Sequence, residues 1–385
     1  MKKLQINYYH LFRQTTTSRR LPPSPQRGEG IFSLLLFSFL LFCLLPCTGF
    51  AQKQQKIDAQ TAVFTRIFKV APKDLLEIDT KYAKVVFQEW ERNEIEFTST
   101  LKMKVVTEKD RKEFTRLLVS VDKTPNQLGR KVTYRFNENL NKVKDFELTV
   151  LVKIPKDIFI NITSSFGNVE ISDVHNDFNA NVSFGNLHIK NMLGGKNTIN
   201  IKHGKLQIEK TNHLSLNVQF SQATINEIST LKLNSQFSTI KIDKAKSITL
   251  TSAHDNISIQ NSIEKIEGAA EFGTFKIRSL KHSCVFTKFS FSKINIDEVL
   301  ESFTHISFNS SHSTIVVNIP QDQSFALDYS GSFTTFKDEK ARWNYVTFEA
   351  GGNSLQMSGF YGNHRDSGKK VKITASFGSV SLFGR

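Results

Sequence analysis

The phrase Phe166-Gly-Asn-Val-Glu-Ile171 decides the fold, because the chain keeps returning to it. Phe184-Gly-Asn-Leu-His-Ile189 and His203-Gly-Lys-Leu-Gln-Ile208 repeat it, as do the hexads opening at Phe220, Phe237, His254 and Phe272. Looser copies open at Phe291, His312 and Phe333, and the phrase comes back once more as Phe377-Gly-Ser-Val-Ser-Leu382. From Phe166 to Phe333 the first residues are 18, 19, 17, 17, 17, 18, 19, 21 and 21 positions apart. A period of this length marks a solenoid, in which each unit buries its apolar side on its neighbours. Units this short cannot hold the crossover helix of a βαβ repeat, so an α/β array is excluded.

Within each unit the alternation has period two. It turns Val169 and Ile171, Leu187 and Ile189, Leu206 and Ile208, Ile240 and Ile242, and Ile257 and Ile259 inward, and the residues between them toward solvent. The expected fold is all-β: a single-stranded, β-helix-like solenoid of about ten rungs over residues 161–337, stacked at about 4.8 Å. The repeated Phe and His are expected as buried corner packing. Asn, Ser, Gly and Asp at the corners supply turn geometry.

Working outward, residues 63–160 read as a strand-rich lead-in with one helix. Strands are expected at 63–70, 76–79, 84–88, 94–106, 131–136 and 146–154, with a loop at Pro125-Asn-Gln-Leu-Gly129. The helix opens at Glu108 and runs to about Leu118, with Thr107 as its cap and acidic side chains in its first turn. Bare solenoid ends are sheet edges that must be covered, so this α+β segment is the natural N-terminal cap. Lys81-Tyr-Ala-Lys-Val-Val-Phe87 carries the rhythm of the later repeat. Residues 338–385 read as closing strands, with Trp343 and Tyr345 in a hairpin-like piece and the last strand hiding the edge of the stack.

Residues 1–51 carry a basic start, the apolar run Ile31–Leu45 and small residues at Gly49 and Ala51. Together these read as a secretory signal peptide with a long n-region, cut between Ala51 and Gln52 and followed by a polar linker over 52–62. Retention as a membrane anchor, and lipidation at Leu44-Leu45-Pro46-Cys47, are the alternatives, and they are the only routes to the membrane. Of the 3 Cys, two lie in this leader, which leaves Cys284 as a core filler and excludes an internal disulfide or a Cys-based metal site in the processed chain.

The formal net charge is +15, and beyond residue 51 there are 45 Lys/Arg against 35 Asp/Glu, a net of +10. These charges are scattered, so a solvated surface is expected. Phe is over-represented, at 33 against 2 Trp and 7 Tyr, and many Phe occupy the repeated position, which points to structure before recognition.

Solenoid enzymes that cleave polysaccharides place acids on neighbouring rungs of one outward column. Here that column runs Glu170, His188, Gln207, Thr224, Lys241, Ser258, Lys276, Asn295, Val316. No two neighbours in it are acidic, and Glu170 beside His188 reads as a surface contact. His203, His254 and His312 stand three rungs apart, about 14 Å by strand spacing, too far to share a zinc whose ligands lie near 2 Å. No catalytic, cofactor-binding or metal-binding residue is assigned, and no cofactor. Nucleic acid is not expected, because it would want aromatics interleaved with a basic groove.

The lead-in ending at Ile154-Pro155-Lys156, the Ser-Phe-Gly-Asn-Val-Glu-Ile units and the closing Ser-Phe-Gly-Ser-Val-Ser-Leu resemble the candidate-adhesin and β-helical domain-of-unknown-function families of bacterial envelope proteins. The likeness covers about residues 63–385. It implies an exported, non-enzymatic β-solenoid with adhesion as the inferred role, and it carries no functional residue over. The expected module lies in the periplasm or on the cell surface, and its outward rows of Ser, Thr, Asn and Lys suit a glycan or another envelope protein. Two other function classes stay open: a β-helix carbohydrate-active enzyme, and an envelope-stress accessory protein without a ligand.

Overall fold

The computed structural model describes residues 58–140, 143, 145–337, 343–363 and 367–382. The expected signal cleavage between Ala51 and Gln52 lies outside them. The chain is all-β. β1 (Asp58–Lys69), β2 (Leu75–Lys81), β3 (Ala83–Glu89) and β4 (Glu94–Val105) come before α1 (Glu108–Lys123), the one helix among the described residues. β5 (Pro125–Leu128), β6 (Lys131–Phe136) and β7 (Phe146–Ile154) complete the lead-in. β1 starts inside the expected linker, and β5 pairs antiparallel with β6 where a loop was expected. The reason is the φ of +58° at Gly129, which lets four residues fold back as a tight hairpin. The Thr107 cap holds: its hydroxyl accepts from the Asp110 N–H while the Asp110 carboxylate accepts from the Thr107 N–H. The helix runs to Lys123 because Phe114, Leu117 and Val121 carry one apolar stripe into the core past its expected end.

The repeats follow as β8 (Phe159–Ser165), β9 (Val169–Val174), β10 (Phe178–Ser183), β11 (Asn186–Met192), β12 (Asn197–Lys202), β13 (Lys205–Gln219), β14 (Gln222–Gln236), β15 (Thr239–Ala253), β16 (Asn256–Glu271), β17 (Thr274–Ser290), β18 (Lys293–Val299), β19 (His305–Ser311), β20 (Thr314–Val317) and β21 (Phe325–Lys337). Successive repeats pair in parallel, so Leu187 lies over Val169 on one side and under Leu206 on the other; the register shifts locally in β15–β17 and β19, where the repeats lengthen. The same register continues from Leu206 through Ala223 and Ile240 to Ile257, Phe275 and Ile294. All of these side chains are buried, as the period-two reading requires. Burying aliphatic groups of this size is worth about 1.5–3 kcal/mol each, so the inward columns dominate stability.

The stack starts before Phe166. β2 pairs with β8 and β3 with β9, which makes Leu75–Glu89 a repeat in its own right, and β6 and β7 lie on its other side. Parallel pairing then stops: β7 meets β4 antiparallel, β4 meets β1 antiparallel, and α1 lies against β1, β4 and β5.

At the other end chain order and stack order part company. β22 (Trp343–Gly351) and β23 (Ser354–Tyr361) form the expected antiparallel hairpin, but β24 (Lys370–Ser381) does not close the outer edge. It inserts between β19 and β20 on one side and β21 on the other, parallel to all three. β21 takes β23 as its antiparallel outer neighbour. The last strand is interior because its Val371, Ile373 and Val380 need cover on both sides, whereas β22 is exposed along most of its length.

Candidate functional site

The repeated aromatic position is a ridge. Tyr82, Phe166, Phe184, His203, Phe220, Phe237, His254, Phe272, Phe291, His312, Phe377 and Phe333 stack ring on ring in that order. Centroids are 4.6–5.2 Å apart and the planes within 17° of parallel. The expectation of buried corners fails. Phe166, Phe184, Phe220, Phe237, Phe272, Phe291, Phe333 and Phe377 are each about half exposed, from 45% to 54%. Phe377 sits between His312 and Phe333, so each His has Phe on both faces.

Backbone geometry explains the exposure. Every ring residue has φ between +50° and +61°, the left-handed region that costs a residue with a Cβ about 1–2 kcal/mol. That conformation turns the chain sharply and throws the side chain outward, while the main-chain ladder runs on through the bend. The N–H of Phe166 donates to the Ser183 carbonyl at 2.9 Å, that of Phe237 to Ala253 at 3.1 Å, and that of His312 to Ser376 at 2.8 Å. Ring–ring contacts worth about 0.5–1.5 kcal/mol apiece offset the strain, and each interior ring makes two.

The residue after most of the rings is wired in one of two ways. Gly167, Gly185 and Gly204 approach the repeat below so closely that a Cβ on Gly185 would overlap the Gly167 carbonyl oxygen. Ser221, Ser238, Asp255, Ser292 and Ser313 are instead buried side chains that serve the previous corner. Ser221 Oγ accepts from the Gly204 N–H at 3.1 Å, Ser238 Oγ from Ser221 at 3.3 Å, Asp255 Oδ1 from Ser238 at 2.7 Å and Ser292 Oγ from Gly273 at 3.0 Å. The serine hydroxyls also donate back across the ring residue, as Ser238 does to the Gln236 carbonyl at 2.8 Å. Asp255 has no proton to donate back. Its Oδ2 accepts from the Ser235 and Ser252 hydroxyls and the Ala253 N–H, so the buried carboxylate is held by charge-assisted bonds.

Beside the ridge, the outward columns fall where period two placed them. Glu170, His188, Gln207, Thr224, Lys241, Ser258, Lys276, Asn295 and Val316 are register partners in succession. Glu170 pairs with Lys84 at 2.9 Å, so the carboxylate of the Glu170–His188 pair is already engaged. His203, His254 and His312 are each separated by two phenylalanines, and among the described residues no group of three His, Cys, Asp or Glu gathers as a metal set. Cys284 is fully buried, and burial pushes its thiol well above the usual range. Among the described residues no helix is long and apolar enough to cross a membrane.

A second outward column runs nearer the ridge, through Asn186, Lys205, Gln222, Thr239, Asn256, Thr274 and Lys293. Lys205, Gln222 and Thr239 line a shallow depression with His203, Phe220 and Phe237. From Asn186 to Asn295 these two columns carry no carboxylate. The signal for this column was present in the sequence, one place after the corner residue, but the interest of the groove depends on the rings being exposed.

No family model matches the chain, and neither does any curated protein. Solved structures do. A Bacteroides fragilis protein described as a candidate adhesin is 10% identical, with 83% of this chain and 96% of that one covered and a TM-score of 0.33. A Parabacteroides distasonis protein described as a candidate lipid-binding protein is 11% identical over 83% and 96%, with a TM-score of 0.31. A Clostridium sporogenes protein described as a candidate cell adhesion protein is 7% identical over 84% and 98%, with a TM-score of 0.17.

Proposed function

We propose that the chain is an exported β-solenoid that serves the bacterial envelope as a non-enzymatic binding or scaffold module. The parallel pairing of successive repeats from β8 to β20 supports the solenoid reading, since neighbouring repeats share one set of inward columns. The observation that carries the binding reading is the exposed aromatic ridge flanked by outward rows of Asn, Gln, Ser, Thr and Lys. Exposed apolar stripes of this extent on a soluble protein mark contact surfaces, and flanking amides and hydroxyls suit a hydrated, polymeric partner. Localisation tests the reading. Cell fractionation should place the chain in the envelope with an N-terminus at Gln52, and protease applied to intact cells separates a surface position from a periplasmic one. Recovery in the cytosol with the leader intact would defeat the proposal.

A further inference from the structure

We infer that the groove between the aromatic ridge and the first outward columns takes a linear acidic polysaccharide, laid along the stack. The inference rests on the binding-module reading above and names the partner.

Three observations converge. The first is charge. The two columns beside the ridge hold Lys205, Lys241, Lys276 and Lys293, and across these repeats they hold no carboxylate. Lys276 pairs with Asp297 at 3.8 Å, whereas Lys205, Lys241 and Lys293 are exposed and make no ion pair among the described residues. At these three lysines an anionic partner would displace water, and at Lys276 it would compete with Asp297. The second is the ridge itself. Stacking uses up the ring faces and turns the edges to solvent, and the edge is the positive side of the aromatic quadrupole. Ridge and lysines thus favour the same sign of partner.

The third is spacing, which selects among polyanions. Lys205, Lys241 and Lys276 fall on every second repeat, a rise of about 9.6 Å along the stack at the strand spacing, with Lys205 one column nearer the ridge and Lys293 on the repeat after Lys276. Duplex DNA carries one charge per about 1.7 Å of axis, far denser than this row can neutralise. Single-stranded nucleic acid would need ring faces for its bases, and those faces are taken. A chain with sparse anions and many hydroxyls fits better: the lysines meet its charges, while Gln222, Thr239 and Ser258 between them meet its hydroxyls.

The test titrates the full chain with polygalacturonate oligomers, with neutral dextran oligomers of equal length and with single-stranded DNA. Polygalacturonate should bind at low ionic strength and weaken steeply as salt rises. The triple variant K205Q/K241Q/K293Q should bind about tenfold less tightly, as the loss of three exposed ion pairs would give. K232Q/K246Q/K265Q, an equal loss of charge on the other limb of the repeat, should bind as the unaltered chain does. All six lysines are exposed, so both variants should unfold at the same temperature as the parent. No polygalacturonate binding, equal affinity for dextran, tighter binding of DNA, or equal effects of the two triples would overturn the assignment. Fractionation is read separately: a cytosolic chain that still binds polygalacturonate defeats the envelope reading and keeps the groove. An envelope protein indifferent to polygalacturonate does the reverse.

Discussion

The lower coils and the middle coils turn the same corner with different chemistry. At Phe166 and Phe184 the next residue is glycine, and the coils approach until no Cβ fits between them. At Phe220, Phe237 and Phe291 it is serine, and at His254 aspartate, with the side chain turned inward to accept an amide proton from the repeat below. One solution is steric and the other polar. Both hold a ring in a left-handed conformation that it would not adopt alone, and both present it at the same height on the ridge. The fold therefore constrains the ring position and leaves the residue after it free to choose between close approach and a hydrogen bond, provided the backbone follows suit.

Exchange of the two solutions should expose the difference most strongly. Gly185→Ser puts a Cβ into the Gly167 carbonyl oxygen, a backbone atom fixed by coils on either side. We expect a loss of about 3 kcal/mol or more, read as a drop in the denaturant midpoint. The reverse exchange, Ser221→Gly, creates no clash and removes the acceptor of the Gly204 N–H and the donor to the Gln219 carbonyl, for about 1–2 kcal/mol. Equal costs in the two directions would mean the corners are not wired differently.

Asp255 comes next, because it does the work of a serine with a charge. Its carboxylate accepts from the Ser238 and Ala253 N–H groups and from the Ser235 and Ser252 hydroxyls. Asp255→Ala orphans all four donors at a buried site, and a loss of about 3 kcal/mol is expected. Ser238→Ala removes one acceptor, from the Ser221 N–H, and one donor, to the Gln236 carbonyl, and should cost about 1–2 kcal/mol. If the two variants unfold at the same denaturant concentration, the carboxylate adds nothing beyond the serine wiring.

Much of this arrangement is legible in the sequence, for a physical reason. Period-two alternation fixes which of Val169, Glu170 and Ile171 faces the core, and the returning hexad carries that assignment from repeat to repeat although the step varies from 17 to 21. The outward column from Glu170 to Val316 could be written down residue by residue. Thr107 and Asp110 gave away the helix start because capping is local. Hydrophobicity alone places Phe inside, so the exposure of the ring position is not legible in the sequence. The sign of φ that turns Phe166 outward is set by the bend and the stacked neighbours, and these are features of the assembled coil. The placement of Phe377 was hidden for a different reason. β22 and β23 interpose a hairpin, so the final strand inserts between coils that precede it in the chain, and no local signal records that detour. β5 escaped because Pro125-Asn-Gln-Leu has turn-like composition and pairs only through its neighbour β6.

The smallest expected effect belongs to the feature the two corner types share. Phe184 stacks on Phe166 and His203 at 4.9 and 4.7 Å in a glycine corner, and Phe237 stacks on Phe220 and His254 at 5.0 and 4.6 Å in a serine corner. Removing either ring forfeits two stacking contacts on a half-exposed side chain, so Phe184→Ala and Phe237→Ala should each cost about 1–2 kcal/mol, and the same amount within error. A glycine in place of alanine sharpens the point. In an ordinary strand it would be the worse choice by about 0.5–1 kcal/mol. Here the left-handed φ penalises any Cβ by about 1–2 kcal/mol, so Phe237→Gly should be at least as stable as Phe237→Ala. Urea unfolding of the four variants measures both comparisons. A glycine variant clearly less stable than its alanine counterpart would show that the corner carries no strain for stacking to offset, and the ridge would then owe its exposure to the rings alone.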